Sequence, residues 1–154
     1  YAGDNTEQAI RRDFYYAFAE TRYPGVPDLN IIGIDRDLFM VGDIAVQPIH
    51  VAHHKMPVLG FRMGDFTYIT DANYIEPQEQ EKIKGSKVLV LNALRKEKHL
   101  SHFTLAEAIE LANRLEIPRV YLTHISHQLG THTAVSHELP ANISLAYDGL
   151  QISL

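Results

Sequence analysis

Alternation between apolar and polar residues in the first half of the chain constrains the fold more than any other feature of this sequence. One strand is predicted by four apolar residues at strand-like spacing, Ile44, Val46, Ile49 and Val51. Pro48 interrupts that strand and indicates an edge or a bulge, because proline has no N–H to donate to a neighbouring strand. The runs VLGFRM and FTYIT follow, and Gly64-Asp65 between them predicts a hairpin turn. With another strand predicted from LNIIGI at 29–34, residues 29–71 are expected to form a largely antiparallel meander.

The second half of the chain alternates strands and helices. The continuous apolar run Val88–Leu91 predicts a strand buried on both faces. A helix is predicted over 104–116, where Thr104 and Glu107 match a capping box. The next strand is predicted at Arg119–Leu122.

Four further elements have weaker sequence signals. They are a helix opening at Asn5 and ending before Tyr23, a polar helix over 76–84, a short helix over 131–139, and a terminal hairpin turned at Asp148-Gly149. The aromatic residues in and after the first helix are expected to close over a sheet, and a substrate lid is the alternative. Antiparallel strands followed by strand–helix alternation predict one α+β domain, with helices packed on an antiparallel-rich sheet.

Composition narrows the classes of function. The chain has 154 residues, a formal net charge of −5 and no cysteine, so disulfides are excluded and a nucleic-acid surface is disfavoured. It contains no apolar run of membrane-spanning length and no secretory signal, which makes a cytoplasmic location without membrane contact the expectation. Because the first residue is not Met, we expect the chain to begin inside a longer protein.

Several polar side chains follow the predicted strands directly. They are His53, Asp71, Asn92, Arg95 and His124, and none of the nine histidines precedes residue 50. Two imidazoles and a carboxylate from separate strands suit zinc, manganese or iron. On spacing alone, surface or hydrogen-bonded histidines remain the alternative.

A series of motifs in one order carries a family resemblance. The motifs are HHKMPVLG from His53, YITD ending at Asp71, LNALR ending at Arg95, HFTL from His102, LTHISH around His124, and YDG from Tyr147. This order resembles the metallo-β-lactamase superfamily, and within it the cyclic phosphodiesterases similar to phosphoribosyl 1,2-cyclic phosphate phosphodiesterase. The resemblance implies an αββα-type fold.

The resemblance also implies roles for individual residues. His53 matches a ligand of the first metal, Asp71 the carboxylate that bridges both metals, and His124 the terminal ligand of the second. His127 matches a ligand of a separate structural zinc. His54 matches no ligand position and is expected to face away.

His102 matches a histidine near the substrate that acts as a proton donor. His99 lies three residues earlier and competes for this assignment; His102 is favoured because it directly precedes the capped helix. Arg95 is expected to contact the substrate phosphate, with a surface ion pair as the alternative.

The chain departs from the family pattern in one respect. The superfamily signature His-x-His-x-Asp-His is absent, and so are the cysteines that complete the structural zinc site in relatives. Residues 1–154 are therefore expected to form the later portion of a single metallo-hydrolase domain, with an incomplete fold and no activity alone. Exposed strand edges could be covered by a second copy, so a homodimer is one expected arrangement.

The function implied for the intact protein is hydrolysis of a small cyclic phosphate. Two divalent ions, zinc or manganese with iron as a further option, would share a bridging hydroxide that attacks phosphorus. The alternative from another class is a non-catalytic interaction domain on the same fold. A nucleic-acid-processing role is disfavoured by the acidic charge balance.

Overall fold

A computed structural model describes residues 1–154 and contains one seven-stranded sheet whose strand order follows the chain order. The strands are β1 (Phe39–Val41), β2 (Ile44–His53), β3 (Met56–Met63), β4 (Phe66–Ile69), β5 (Val88–Asn92), β6 (Arg119–Thr123) and β7 (Ile143–Leu145). Four α-helices accompany them: α1 (Asp4–Asp13), α2 (Pro77–Ile83), α3 (Leu105–Arg114) and α4 (His132–Ser136). A short 3₁₀ turn, Tyr15–Ala17, follows α1.

The sheet is antiparallel in its first part and parallel in its second. Strands β1 to β4 pair antiparallel through short turns, including the predicted Gly64-Asp65 hairpin, where Gly64 has a φ of 57°. Strands β4 to β7 pair parallel, with α2, α3 and α4 as the crossovers. Since β2 and β4 both run antiparallel to β3, the carboxyl ends of β2, β4, β5, β6 and β7 all lie at one edge of the sheet.

The helices begin where the sequence predicts them. The Thr104 side chain accepts a hydrogen bond from the Glu107 backbone, and the Glu107 carboxylate accepts one from the Thr104 N–H, which completes the capping box of α3. Helix α2 ends before Gly85, whose φ of +79° turns the chain into β5. No helix of this structure is both long and apolar enough to cross a membrane.

The core lies between the parallel strands and helix α3. Every residue of β5 is buried, as expected for a strand covered on both faces. Helix α3 buries the stripe Leu105, Ala108, Leu111 and Ala112, which joins a cluster of 22 buried apolar residues. This packing gives β5 and β6 a rigid base, so the loops at their carboxyl ends are held in fixed positions.

The structure corrects two expectations about secondary structure and decides between the alternatives of a third. Residues 29–34 form no strand; Gly33 makes only an isolated bridge to Ala2, so β1 at 39–41 takes the outer edge of the meander. The terminal hairpin is also absent, because β7 pairs parallel with β6 and the turn near Gly149 leads into no returning strand. Pro48 lies within β2 beyond the last residue paired with β1, so the strand is locally an edge there.

The first helix is shorter than predicted, and its aromatic residues do not close over the sheet. Helix α1 ends at Asp13 and buries none of its residues. Phe14, Tyr15, Tyr16 and Tyr23 stay exposed, with the rings of Tyr15 and Tyr16 centred 6.0 Å apart, while Phe18 is half-buried and lies under the Arg11 guanidinium. Because they make no large contact with the sheet, the expectation of a closing apolar face is wrong.

Candidate metal centre

The predicted ligands meet at the edge of the sheet where five strands end. His53 is the last residue of β2, Asp71 is the second residue after β4, and His124 directly follows β6. Asp71 and His124 adopt left-handed backbone conformations, with φ values of 54° and 57°. This conformation is uncommon for non-glycine residues, and it turns the chain sharply after each strand.

Asn92 holds the Asp71 loop in place. Its side chain is fully buried, and its Oδ1 accepts a hydrogen bond from the Ala72 N–H at 2.9 Å. Its Nδ2 donates to the Ala72 carbonyl, also at 2.9 Å. The same carbonyl accepts a bond from Phe103 N–H at 2.8 Å. Asn92 therefore joins the end of β5 to the loops that carry Asp71 and His102, which is a supporting role outside the ligand set.

The hairpin that carries His53 is joined to the same loop. The His54 N–H donates to Asn73 Oδ1 at 2.7 Å, and Asn73 Nδ2 donates to the Leu100 carbonyl at 3.3 Å. His54 contributes this backbone contact, and its ring belongs to no ligand group, as expected. Asn73 was not among the candidates from sequence, because nothing in its local pattern distinguishes it from an ordinary turn residue.

Three donor groups lie within metal-binding reach of one another. Ligand atoms of His53, Asp71 and His102 are all within 4.8 Å of each other. His102 Nε2 lies 3.2 Å from Asp71 Oδ1, and His124 Nε2 lies 3.5 Å from the same oxygen. The His102 ring stacks on that of His124, with centroids 4.6 Å apart, and meets the His53 ring edge-on at 4.7 Å.

His102 is the most enclosed member of this group. Its side chain is about nine-tenths buried, and burial lowers the pKa of the imidazole. The hydrogen bond to Asp71 acts in the opposite direction, while the nearby His124, His53 and His99 lower the pKa further. The net direction is a pKa below the usual value for histidine, so the neutral ring is favoured at neutral pH.

The second nitrogen of His102 faces its own loop. Nδ1 lies 3.0 Å from Ser101 Oγ and 3.1 Å from His99 Nδ1. His99 Nδ1 already accepts from the Ser101 backbone N–H at 3.3 Å. These contacts orient the imidazole and leave Nε2 directed at Asp71. His99 therefore contacts His102 on the side opposite Asp71 and helps to orient its ring. The sequence alone could not reveal this contact, because it offered the two histidines only as alternatives for one role.

The chemistry of the donor set fits a divalent transition metal. Two or three neutral imidazoles and a carboxylate are the ligands preferred by zinc, manganese and iron. The placement of His102 within the group is compatible with a ligand as well as with the proton donor expected from the sequence. His53 and Asp71 belong to the donor group, and His124 lies beside it with Nε2 3.5 Å from Asp71 Oδ1; their roles as metal ligands remain predictions. His127 is exposed and belongs to no donor group, so its role as a structural-zinc ligand also remains a prediction.

Arg95 is turned toward its own loop. Its guanidinium donates to Gln128 Oε1 at 2.7 Å and to the backbone carbonyls of Lys98 and Glu97 at 3.0 and 3.4 Å. It forms no ion pair, so the surface ion pair considered from sequence is wrong. Its contact with a substrate phosphate remains a prediction, and that contact would require the guanidinium to exchange some of these acceptors.

Comparison with known proteins identifies the family. Residues 1–125, most of the chain, match the family model of a beta-lactamase superfamily domain. The chain belongs to the metallo-β-lactamase superfamily. The membership and the α+β fold expected from the sequence motifs are thus confirmed.

Solved structures in the superfamily match at different levels. A new diphosphatase from the PhnP family is 30% identical, superposes with a TM-score of 0.89, and is matched over 100% of this chain and 57% of its own. The metallo-beta-lactamase fold protein YhfI from Bacillus subtilis is 17% identical over 77% of this chain and 54% of its own, with a TM-score of 0.65. The latter shows the shared fold alone.

One relative of similar sequence is a transferase by name. An octanoyltransferase from Porphyromonas gingivalis is 34% identical over 153 residues, which are 98% of this chain and 31% of that protein. This chain thus spans about a third of the octanoyltransferase and little more than half of the diphosphatase. Most of the octanoyltransferase lies outside the match, so its transferase activity is not assigned to the matched region.

Proposed function

We propose that this chain contributes to a metal-dependent hydrolase that cleaves a small phosphodiester, with cyclic phosphates as the substrate class. The observation that carries the proposal is the convergence of His53, Asp71 and His102 within 4.8 Å, with His124 beside them. The likeness to a PhnP-family diphosphatase supports phosphorus–oxygen chemistry over other hydrolytic reactions of the superfamily.

His53, Asp71 and His124 would hold the metal, and Asp71 can offer a second oxygen to a second ion. A bound divalent ion supplies Lewis acidity, which lowers the pKa of water and neutralises charge on phosphoryl oxygens. Four donor residues are too few for two fully coordinated ions. We therefore propose that further ligands come from outside these 154 residues, in line with the 57% coverage of the diphosphatase.

His102 is proposed to give a proton to the departing oxygen. A water that has released one proton to solvent forms the new bond to phosphorus, the ester P–O bond breaks, and the leaving oxygen takes the proton from His102 Nε2, which regains a proton from solvent. The lowered pKa of the free His102 opposes early protonation, but the negative charge of a bound phosphate favours the protonated ring. Contacts from Ser101 and His99 to Nδ1 keep Nε2 on the side of Asp71, where a phosphate bound at the metal centre would lie.

The full-length protein carrying Asp71→Ala tests this proposal. Because Asp71 is the carboxylate at the centre of the donor group, the variant should lose bound metal in elemental analysis and hydrolysis of 2′,3′-cyclic AMP together. Asp65→Ala is the matched control, since the Asp65 side chain pairs only with Lys87 in the β3–β4 turn. Full hydrolysis by Asp71→Ala would exclude the mechanism. Absence of both metal and hydrolysis in the unmodified protein would favour a non-catalytic interaction domain.

A further inference from the structure

A cavity lies between helices α2 and α3 and the segment that joins β4 to α2. It has a volume of about 160 Å³, and none of the four donor residues of the metal centre lines it. Its walls come from Gln80 of α2, four residues of α3, residues 73–75 and Phe103. The cavity is therefore a space of its own, and neither the metal ligands nor the proton donor proposed above uses it.

The floor of this cavity is apolar. Ile75, Phe103 and Leu111 line it and are buried, and Tyr74, which is 49% exposed, lines it as well. An apolar cavity of about 150 Å³ accommodates a benzene ring. The space is therefore of the right size for one six-membered ring, and the half-exposed ring of Tyr74 is suited to packing against it.

The charged groups of the lining are already paired. Glu107 Oε1 accepts from Lys98 Nζ at 2.7 Å, and its Oε2 accepts from the Thr104 N–H at 2.9 Å. Glu110 and Arg114 form an ion pair at 3.1 Å. Because a charged ligand would have to displace one of these partners, the lining favours an uncharged ligand.

One neutral acceptor remains for a hydrogen bond from the ligand. Gln80 Nε2 donates to the Ile75 carbonyl at 2.7 Å, and this bond fixes the side chain beside the floor of the cavity. Gln80 Oε1 takes part in no hydrogen bond, so it can accept one from a hydroxyl or N–H group. A ring that carries such a donor would therefore match both the apolar floor and this oxygen.

The walls of the cavity are bonded to the loops of the metal centre. The Tyr74 carbonyl accepts a bond at 2.9 Å from the N–H of the residue before His53. Phe103 directly follows His102, and its N–H donates at 2.8 Å to the carbonyl of the residue after Asp71. A ring bound against Tyr74 and Phe103 would therefore restrain the segments that position these three donor residues.

We propose that this cavity is a regulatory site for one uncharged aromatic ring that carries a hydroxyl or N–H group, and that its occupancy strengthens metal binding at the metal centre. The ring packs on Phe103 and Tyr74 and donates a hydrogen bond to Gln80 Oε1. A ligand that orders the two loops leaves less ordering for the metal to impose, so each tightens the binding of the other by the same factor. Binding of the ring is independent of the proposed function, whereas its effect on the metal rests on that function.

Fluorine NMR titrations of the full-length protein test the binding with three probes of equal ring size. 4-Fluorophenol carries the hydrogen-bond donor, fluorobenzene lacks it, and 4-fluorobenzoate carries a charge. 4-Fluorophenol should bind with a Kd on the order of 1 mM, as expected for so small a ligand. Fluorobenzene should bind about fivefold more weakly because it makes no hydrogen bond, and 4-fluorobenzoate about tenfold more weakly because of its charge.

Two substitutions locate the probe in the cavity. Gln80→Leu should abolish the preference for 4-fluorophenol over fluorobenzene, and Tyr74→Ala should weaken both by about fivefold, since it removes an aromatic contact from a half-exposed position. Gln78→Leu is the matched control and should change neither affinity, because Gln78 is exposed on the same helix and lies outside the cavity. Equal affinities for the three probes, or a preference that survives Gln80→Leu, would overturn the proposal.

Titrations with and without zinc test the regulatory effect. 4-Fluorophenol should bind about fivefold more tightly when zinc is present, and it should tighten zinc by the same factor in competition with a chromophoric chelator. Equal affinities with and without zinc would overturn the regulatory effect, as would a zinc effect that persists in Gln80→Leu and Tyr74→Ala, because the phenol would then bind zinc itself. If the full-length protein binds no zinc, the proposed function and the regulation fail together, and the preference measured with Gln80→Leu still decides whether the ring binds.

Discussion

Replacing Asn92 with alanine should weaken the fold at the point where it supports the metal centre. The change removes both hydrogen bonds to Ala72. The Ala72 carbonyl keeps its bond from Phe103, but the Ala72 N–H loses its acceptor in a fully buried position. A buried, unsatisfied donor costs about 1–3 kcal/mol, and the second lost bond costs about 1 kcal/mol more. The expected loss of unfolding free energy is therefore about 2–4 kcal/mol.

Urea denaturation of the full-length protein, followed by far-UV circular dichroism, measures this loss. With a slope of about 2 kcal/mol per molar urea, the middle of the typical range, the midpoint should fall by roughly 1–2 M. The control is Asn113→Ala, because Asn113 is exposed on α3 and its side chain bonds to nothing in the structure. Surface substitutions of this kind change stability by about 0.5 kcal/mol or less.

The same variant carries a second readout at the site. Asn92 does not contact the donor atoms, but it fixes the residue after Asp71. We therefore expect bound metal to fall in Asn92→Ala even under conditions where the protein remains folded. If Asn92→Ala and Asn113→Ala unfold at the same urea concentration and bind equal metal, the supporting role argued for Asn92 is wrong.

Two other predictions concern packing and pH. Gly60→Ala should lower the unfolding free energy by about 1–3 kcal/mol, because its Cβ would lie 2.6 Å from Ile69 Cγ1, whereas Gly3→Ala meets only ordinary contacts and should be nearly neutral in the same urea titration. Glu79→Gln should cost about 1–3 kcal/mol at neutral pH. Burial alone raises the pKa of the Glu79 carboxyl, but hydrogen bonds from Lys82 and a backbone N–H, with nearby positive charge, outweigh it and hold the pKa below its usual value. The stabilisation is present above the unfolded-state pKa and is lost as pH falls through the folded-state pKa, so the unfolding free energies of the two proteins should differ at neutral pH and converge at acidic pH.

Local signals in the sequence were sufficient for most of the fold. The capping box at Thr104, the Gly64-Asp65 turn and the apolar run Val88–Leu91 each depend on neighbours within a few residues, and each appears where it was predicted. LNIIGI was wrongly predicted to be a strand, because a run of β-branched residues favours extended backbone but does not specify a neighbouring strand to pair with. Its backbone bonds go to Ala2, a contact that depends on the distant N-terminal segment.

The candidate site was predictable to the extent that it follows strand ends. His53, Asp71 and His124 converge because parallel strands end at a common edge. The supporting roles of Asn73 and His99 were not predicted. Asn73 bonds to His54 in a separate loop, and the contact of His99 with His102 depends on how their loop folds, so no local sequence pattern indicates either contact. The direction of the Arg95 guanidinium was likewise fixed by acceptors on another loop.

The left-handed backbone at Asp71 and His124 has a consequence for the evolution of this chain. Each such conformation costs a non-glycine residue on the order of 1 kcal/mol, and glycine or asparagine would relieve that cost. Selection for heat resistance alone would therefore favour replacing the very residues that we expect to bind metal. At these two positions metal binding and stability would therefore oppose each other, and a variant relieved of the left-handed cost would gain stability while losing a proposed ligand.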